Sequence, residues 1–150
     1  MSQSFSCILI HIIFSTKLRQ PLIQSKAFQD LYSYMAGIAQ SHDSHVYEIG
    51  GVEDHVHLLV SLPRTLSVSK LVEEIKKSSS RWLKMQGASY LKFAWQSGYG
   101  AFSIGQSGVD GLRKYIQGQR EHHQKVSFQD EYRLFLKKYE IEFDEKYVWD

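Results

Sequence analysis

The run FSCILIHIIFST, residues 5–16, constrains the fold more than any other stretch. Its residues are β-branched, aromatic or apolar on both faces of an extended chain, which is the pattern of a central strand and predicts further strands beside it. Two candidates follow at 45–49 and 55–62, separated by Gly50-Gly51, a pair that predicts a hairpin turn. Between the first strand and this pair, Pro21 opens a predicted helix. Ala27, Leu31, Tyr34, Met35 and Ile38 share one of its faces, and it should end in the polar run 41–44.

The segment LSVSKLVEEIKKSSSRWLKM behind Pro63 reads as a second helix with Ser67 as its N-cap. At 100° per residue, Val68, Leu71, Val72, Ile75 and Trp82 fall on one side, while Lys70, Lys77, Arg81 and Lys84 fall on the other. That basic stripe could follow a phosphate backbone or face solvent, and Glu73 is placed to pair with Lys77. A short aromatic strand is expected at 99–104. Ser107 with Asp110, and Ser127 with Asp130, have the spacing of capping boxes, predicting helices over about 108–123 and 128–139. The order β-α-β-β-α-β-α-α predicts an α+β fold: a ferredoxin-like antiparallel sheet with helices packed on it, in one domain spanning 1–150.

Chemistry concentrates in EDHVHLLV, residues 53–60. On a strand, His55, His57 and Leu59 point to one face and Val56, Leu58 and Val60 to the other. Two imidazoles on one face, about 7 Å apart at about 3.3 Å rise per residue, suit a pair of ligands converging on one ion. Asp54 beside them is either a turn residue or a partner that orients a histidine. His11, sharing a face with Leu9 and Ile13, reads as a core histidine that would neighbour this pair if the strands adjoin. In the helix GLRKYIQGQREHH, Tyr115, Gln119 and His122 lie on one face, where a core-facing stripe would favour Leu or Ile. Gln119 and His122 could each offer a third ligand. A phenol of pKa about 10 is only about 0.1% ionised at neutral pH, so Tyr115 would need an electrophile activated by a cation.

Taken together, HVH, the tyrosine helix YIQGQREHH and the flanks HIIFSTKLRQPLI, GGVEDHVHLLVSLP and WQSGYGAFSIGQS resemble the single-tyrosine HUH transposases of small bacterial insertion sequences, including the REP-associated tyrosine transposases. The resemblance implies that Tyr115 is the nucleophile, and that His55, His57 and Gln119 hold Mg2+ or Mn2+. It also implies cleavage of single-stranded DNA to a 5′-phosphotyrosine and a free 3′-OH, with hairpin-bearing ends and a homodimer. Rejoining from a phosphotyrosine needs no nucleotide cofactor. Two other readings of the same residues are a domesticated hairpin-binding protein without mobility, and a metal-dependent phosphodiesterase in which water attacks.

Whole-chain charge decides little: the formal net charge is +2. It hides an asymmetry, for 64–92 carries seven basic against two acidic residues. The single cysteine, Cys7, excludes an internal disulfide, and the first residues lack a basic signal-peptide start and a membrane-length apolar run. A cytoplasmic protein without a membrane partner is expected.

Overall fold

The computed structural model describes residues 2–150. Its four strands are β1 (Leu9–Ser15), β2 (Val46–Val52), β3 (His55–Ser61) and β4 (Gly100–Ile104). They form one antiparallel sheet in the order β2-β3-β1-β4. The helices are α1 (Phe28–Ser41), α2 (Val68–Lys84), α3 (Val109–Gln117), α4 (Gln119–His122) and α5 (Phe128–Lys138). With α1 and α2 as the crossovers, this is the ferredoxin-like arrangement anticipated above, and β1 is central.

The two faces of the sheet are chemically different. Ile10, Ile12 and Phe14 of β1 and Val56, Leu58 and Val60 of β3 pack with Leu31, Met35 and Ala39 of α1 and Leu71, Val72, Ile75 and Leu83 of α2. This is the main core. The opposite face is covered by the C-terminal helices and holds two smaller apolar clusters. One joins Leu9, Leu59, Val109 and Ile116; the other joins Ile13, Phe102, Phe128, Tyr132 and Leu136. The histidines of β1 and β3 lie on this second face, since Ile13 pairs with His57 and Ser15 with His55.

Several boundaries differ from the sequence expectation for identifiable reasons. Gly50-Gly51 is not a turn: both glycines lie within β2, and the hairpin turns at Glu53-Asp54. Gly50 stands opposite His57 in the ladder, and a Cβ there would lie 2.5 Å from the Ile116 carbonyl oxygen. The glycine therefore marks the close approach of α3 to the sheet. The Glu53-Asp54 turn is anchored from outside, with Ile23 N donating to Glu53 O at 3.0 Å and Thr16 N to Asp54 O at 2.8 Å.

Strand β1 starts at Leu9, later than residue 5, and α1 begins at Phe28 after 3₁₀ turns at Lys17–Arg19 and Ser25–Ala27, so Pro21 precedes the helix without opening it. Ser67 and Ser127 do cap their helices, accepting from Lys70 N and Asp130 N at 3.1 Å each. Ser107 does not, because it sits inside a 3₁₀ turn, Gln106–Gly108, and Gly108 stands at the N-cap. The helix expected over 108–123 is broken at Gly118 into α3 and α4. Glu74, in place of Glu73, pairs with Lys77 at 3.3 Å and also with Lys70 at 3.0 Å. Among the described residues, no helix is long and apolar enough to cross a membrane.

Candidate active site

The site is built on β3. His55 and His57 are fully buried on the face covered by α3, α4 and α5, and their rings lie 5.1 Å apart. Each Nδ1 has its own partner. His55 Nδ1 donates to Asp54 Oδ1 at 2.7 Å, which the anchored turn holds in place. His57 Nδ1 bonds His11 Nε2 at 2.8 Å, a diagonal contact between adjacent strands. Asp54 and His11 are therefore the orienting partners, leaving both Nε2 atoms aimed into the space beneath the C-terminal helices.

Glu131 of α5 fills the point where they converge. Its Oε1 lies 2.9 Å from His57 Nε2 and 3.4 Å from His55 Nε2. Its Oε2 lies 3.1 Å from both His122 Nε2 and His123 Nε2 and accepts a hydrogen bond from the Tyr115 hydroxyl. The hydroxyl also meets His122 Nε2 at 3.2 Å. Tyr115 thus reaches the histidine pair of its own chain, with its ring 5.8 Å from that of His57. A cleft of about 500 Å³, lined by Leu112, Phe135, Lys138 and others, opens onto Tyr115, His122 and Glu131.

Gln119 is also in the cluster, 1% exposed, with Oε1 3.2 Å from His55 Nε2 and Nε2 donating to Tyr115 O at 3.4 Å. The helix breaks at Gly118, and Gln119 is the first residue of α4. His122 lies beside the tyrosine, and the donor cluster is completed by its neighbour. His55, His57, His123 and Glu131 each present one ligand atom, all within 4.8 Å of one another. His123 Nε2 is buried and, despite lying near Glu131, has no hydrogen-bond partner. An unpartnered buried nitrogen among two oriented imidazoles and a carboxylate fits a divalent cation.

Sequence reasoning missed Glu131 and His123. The signal for Glu131 was present: it is the one acid on a helix face otherwise made of Phe128, Tyr132 and Leu136, all buried with it. His123 gave no such signal, since only the break in the helix decides which of the adjacent histidines turns inward.

The electrostatics follow from burial against pairing. Burial alone would push His55 down, but its hydrogen bonds to Asp54 and Glu131, with their charges, raise it to about 9. His57 is lowered to about 4 by burial, only partly opposed by Glu131, and His11 to about 3 by burial and the adjacent His57. For Glu131, burial acts upward, yet the His123 imidazole 3.1 Å away and the contacts of His55 and His57 hold the carboxyl far below its ordinary range. Tyr115 is pushed above its ordinary value by burial and by the Glu131 carboxylate. The hydroxyl is thus held protonated, in contact with an ionised acceptor.

The basic stripe is not part of this constellation. Lys70, Lys77, Arg81 and Lys84 are exposed on α2, which packs against the other face of the sheet. A separate lysine of α2, Lys76, turns inward and donates to the carbonyls of Gln96 at 2.9 Å and Gly98 at 2.6 Å, and burial lowers it to about 8.

Comparison with known proteins agrees with this geometry. Residues 4–119 match the family model described as transposase IS200 like. Transposases for insertion sequence element IS200 from Salmonella typhimurium and Salmonella typhi are each 26% identical over 117 residues, covering 74% of this chain and 76% of theirs. Among solved structures, a protein of Deinococcus radiodurans described as a transposase superposes with a TM-score of 0.61 at 18% identity, over 79% of this chain and 98% of that one. A REP-associated tyrosine transposase bound to a REP hairpin gives 0.60 at 16% identity, over 84% of this chain and 76% of that one. A match over most of the chain, on a fold that brings a tyrosine and a histidine pair to one point, settles the assignment: the chain belongs to the IS200-like transposase family and is, by that membership, a DNA transposase.

Proposed function

We propose that Tyr115 is the nucleophile of this transposase and attacks a phosphodiester of single-stranded DNA. The new bond joins the phenolic oxygen to phosphorus, and the bond from phosphorus to the 3′ oxygen breaks. The products are a 5′-phosphotyrosine and a strand ending in a 3′-OH: the phenolic proton passes to solvent water, and the departing 3′ oxygen takes a proton from it. Reversal with a different 3′-OH rejoins strands without a nucleotide cofactor. The observation that carries this reading is the contact of the Tyr115 hydroxyl with Glu131 Oε2, whose other oxygen lies against His57 and His55.

Residues of this chain would do the following. His55 and His57 would bind the cation through Nε2; for the third ligand sequence reasoning favours Gln119, with His122 as the alternative. As a ligand, His57 would carry its proton on Nδ1 and donate to His11 Nε2. Mg2+ or Mn2+, when bound, would neutralise the non-bridging oxygens of the scissile phosphate and the charge that grows on them. Lys70, Lys77, Arg81 and Lys84 would contact the DNA backbone away from the chemistry. A relative bound to a REP hairpin supports hairpin-forming single strands as the substrate. A homodimer, each chain one domain, and a cytoplasmic location belong to the same reading.

The test is denaturing gel electrophoresis after incubation with labelled single-stranded hairpin DNA and Mn2+, comparing wild type with Tyr115→Phe. A covalent adduct formed by the wild type and absent from the variant is expected. Cleavage without adduct in both proteins would instead establish water as the attacking group. Binding with neither product, across several hairpins, would make the chain a hairpin-binding protein without mobility.

A further inference from the structure

We infer that Glu131 is the third metal ligand of this site and that its second oxygen ties Tyr115 to the cation. The inference rests on the metal-dependent reading above and assigns to α5 a role that neither the tyrosine helix nor the histidine strand supplies. Residue 131 lies outside the stretch 4–119 that matches the family model, so family membership does not carry it.

The first argument is spacing. A divalent ion with bonds of about 2.1 Å sets adjacent ligand atoms about 3.0–3.4 Å apart at angles between 90° and the tetrahedral value. Glu131 Oε1 stands 2.9 Å from one histidine nitrogen and 3.4 Å from the other. Gln119 Oε1 stands 3.2 Å from His55 Nε2, while its amide nitrogen is engaged by Tyr115 O. The carboxylate spans both imidazoles; the carboxamide meets one and ties α4 to the backbone of the tyrosine helix.

Charge is the second argument. The Glu131 side chain is 2% exposed, and every ion-pair partner it has is an imidazole. A buried carboxylate without a lysine or arginine is compensated when a cation shares its site. Ligand chemistry agrees: two imidazoles alone favour softer ions, whereas adding an anionic oxygen brings the set toward manganese and related divalent ions.

The third argument is the division of labour between the two oxygens. With Oε1 on the cation, Oε2 remains with the Tyr115 hydroxyl, so one side chain fixes the distance between nucleophile and Lewis acid. His123, whose Nε2 is unpartnered, adjoins that oxygen and can take a further position at the ion.

Isothermal titration with Mn2+, with no DNA present, tests the assignment on wild type, Glu131→Gln and Gln119→Ala, each first checked by its thermal melt. Glu131→Gln should lose affinity by about tenfold or more, and more than Gln119→Ala does. Glu131→Asp, which keeps the charge on a shorter arm, covers the case in which the glutamine variant fails to fold, and should bind more weakly than wild type. If either folded Glu131 variant binds Mn2+ as the wild type does while Gln119→Ala loses it, the inference is overturned and the metal-dependent reading stands. If the wild type takes up no divalent ion, both fall.

Discussion

Replacing Gly50 by alanine tests how the tyrosine helix is brought to the sheet. The added Cβ would lie 2.5 Å from the Ile116 carbonyl oxygen and 2.9 Å from Ile116 Cγ2. Ordinary contact begins near 3.4 Å, so α3 must lift by about 0.9 Å from the strand, and the obstacle is helix backbone, which has no rotamer to change. Overpacking of this kind costs about 1–3 kcal/mol, offset by at most about 1 kcal/mol from the stiffer unfolded chain. At about 2–4 °C per kcal/mol for a chain of this size, a net loss of up to about 3 kcal/mol should lower the melting temperature by up to about 12 °C. The effect on chemistry should be larger in proportion, because Tyr115 is one residue before Ile116 and a displacement near 1 Å can cost about 100-fold in rate. Thermal melts and the initial rate of covalent adduct formation measure the two. Gly111→Ala is the control: it lies on α3 with nothing within 4 Å of the new Cβ, and should stabilise by about 0.5–1 kcal/mol. Wild-type melting and adduct rate in Gly50→Ala would refute the close-approach argument. So would tolerance of Gly50→Asn, a change that a hairpin turn would accept readily.

Stability should depend on pH in both directions. His55 is raised from 6.5 to about 9, so its contribution, on the order of 3 kcal/mol, is complete below pH 6.5 and lost as pH rises through 9. His57, lowered to about 4, favours the folded chain above 6.5 and loses that advantage as pH falls toward 4; Glu131 adds a further loss in acid. The melting temperature should therefore peak near pH 6–7, Asp54→Asn should flatten the alkaline side, and a level profile from pH 6.5 to 9.5 would be incompatible with the His55 pairing. His11→Phe should keep the fold yet weaken Mn2+ binding by about 10–100-fold, measured by calorimetry, because His57 loses the partner of its Nδ1. Lys76→Ala strips a donor from the carbonyls of Gln96 and Gly98 and should destabilise by about 1–3 kcal/mol in denaturant titration. Lys77→Ala with Arg81→Ala should weaken DNA binding and reduce its salt slope by up to about 2; an unchanged slope would leave the stripe as a solvated surface.

What could be read from the sequence was local or periodic. The strand carrying His55 and His57, the apolar side of α2, and the caps at Ser67 and Ser127 depend on neighbours a few residues away, and all formed as their patterns imply. What escaped depends on contacts distant in the chain. Gly50-Gly51 has the composition of a turn, but its geometry is dictated by Ile116, 66 residues on from Gly50. Ser107 and Asp110 have the spacing of a cap, yet the backbone enters α3 through a 3₁₀ turn. Glu131 was passed over because a glutamate near a helix start ordinarily faces water; its place on the face of Phe128, Tyr132 and Leu136 hinted at burial, but its position at the centre of four imidazoles comes from the docking of α5 onto β3.

The sheet also separates two kinds of heritable change. Substitutions in the layer of α1 and α2 alter folding or the basic surface, whereas Tyr115 lies across the sheet and outside the main core. On the proposed mechanism, losing that one hydroxyl would disarm the protein while leaving its scaffold and α2 surface as they are. A mobile element's enzyme and a resident DNA-binding protein of the host are then a single mutational step apart, and the step is open in one direction far more readily than in the other.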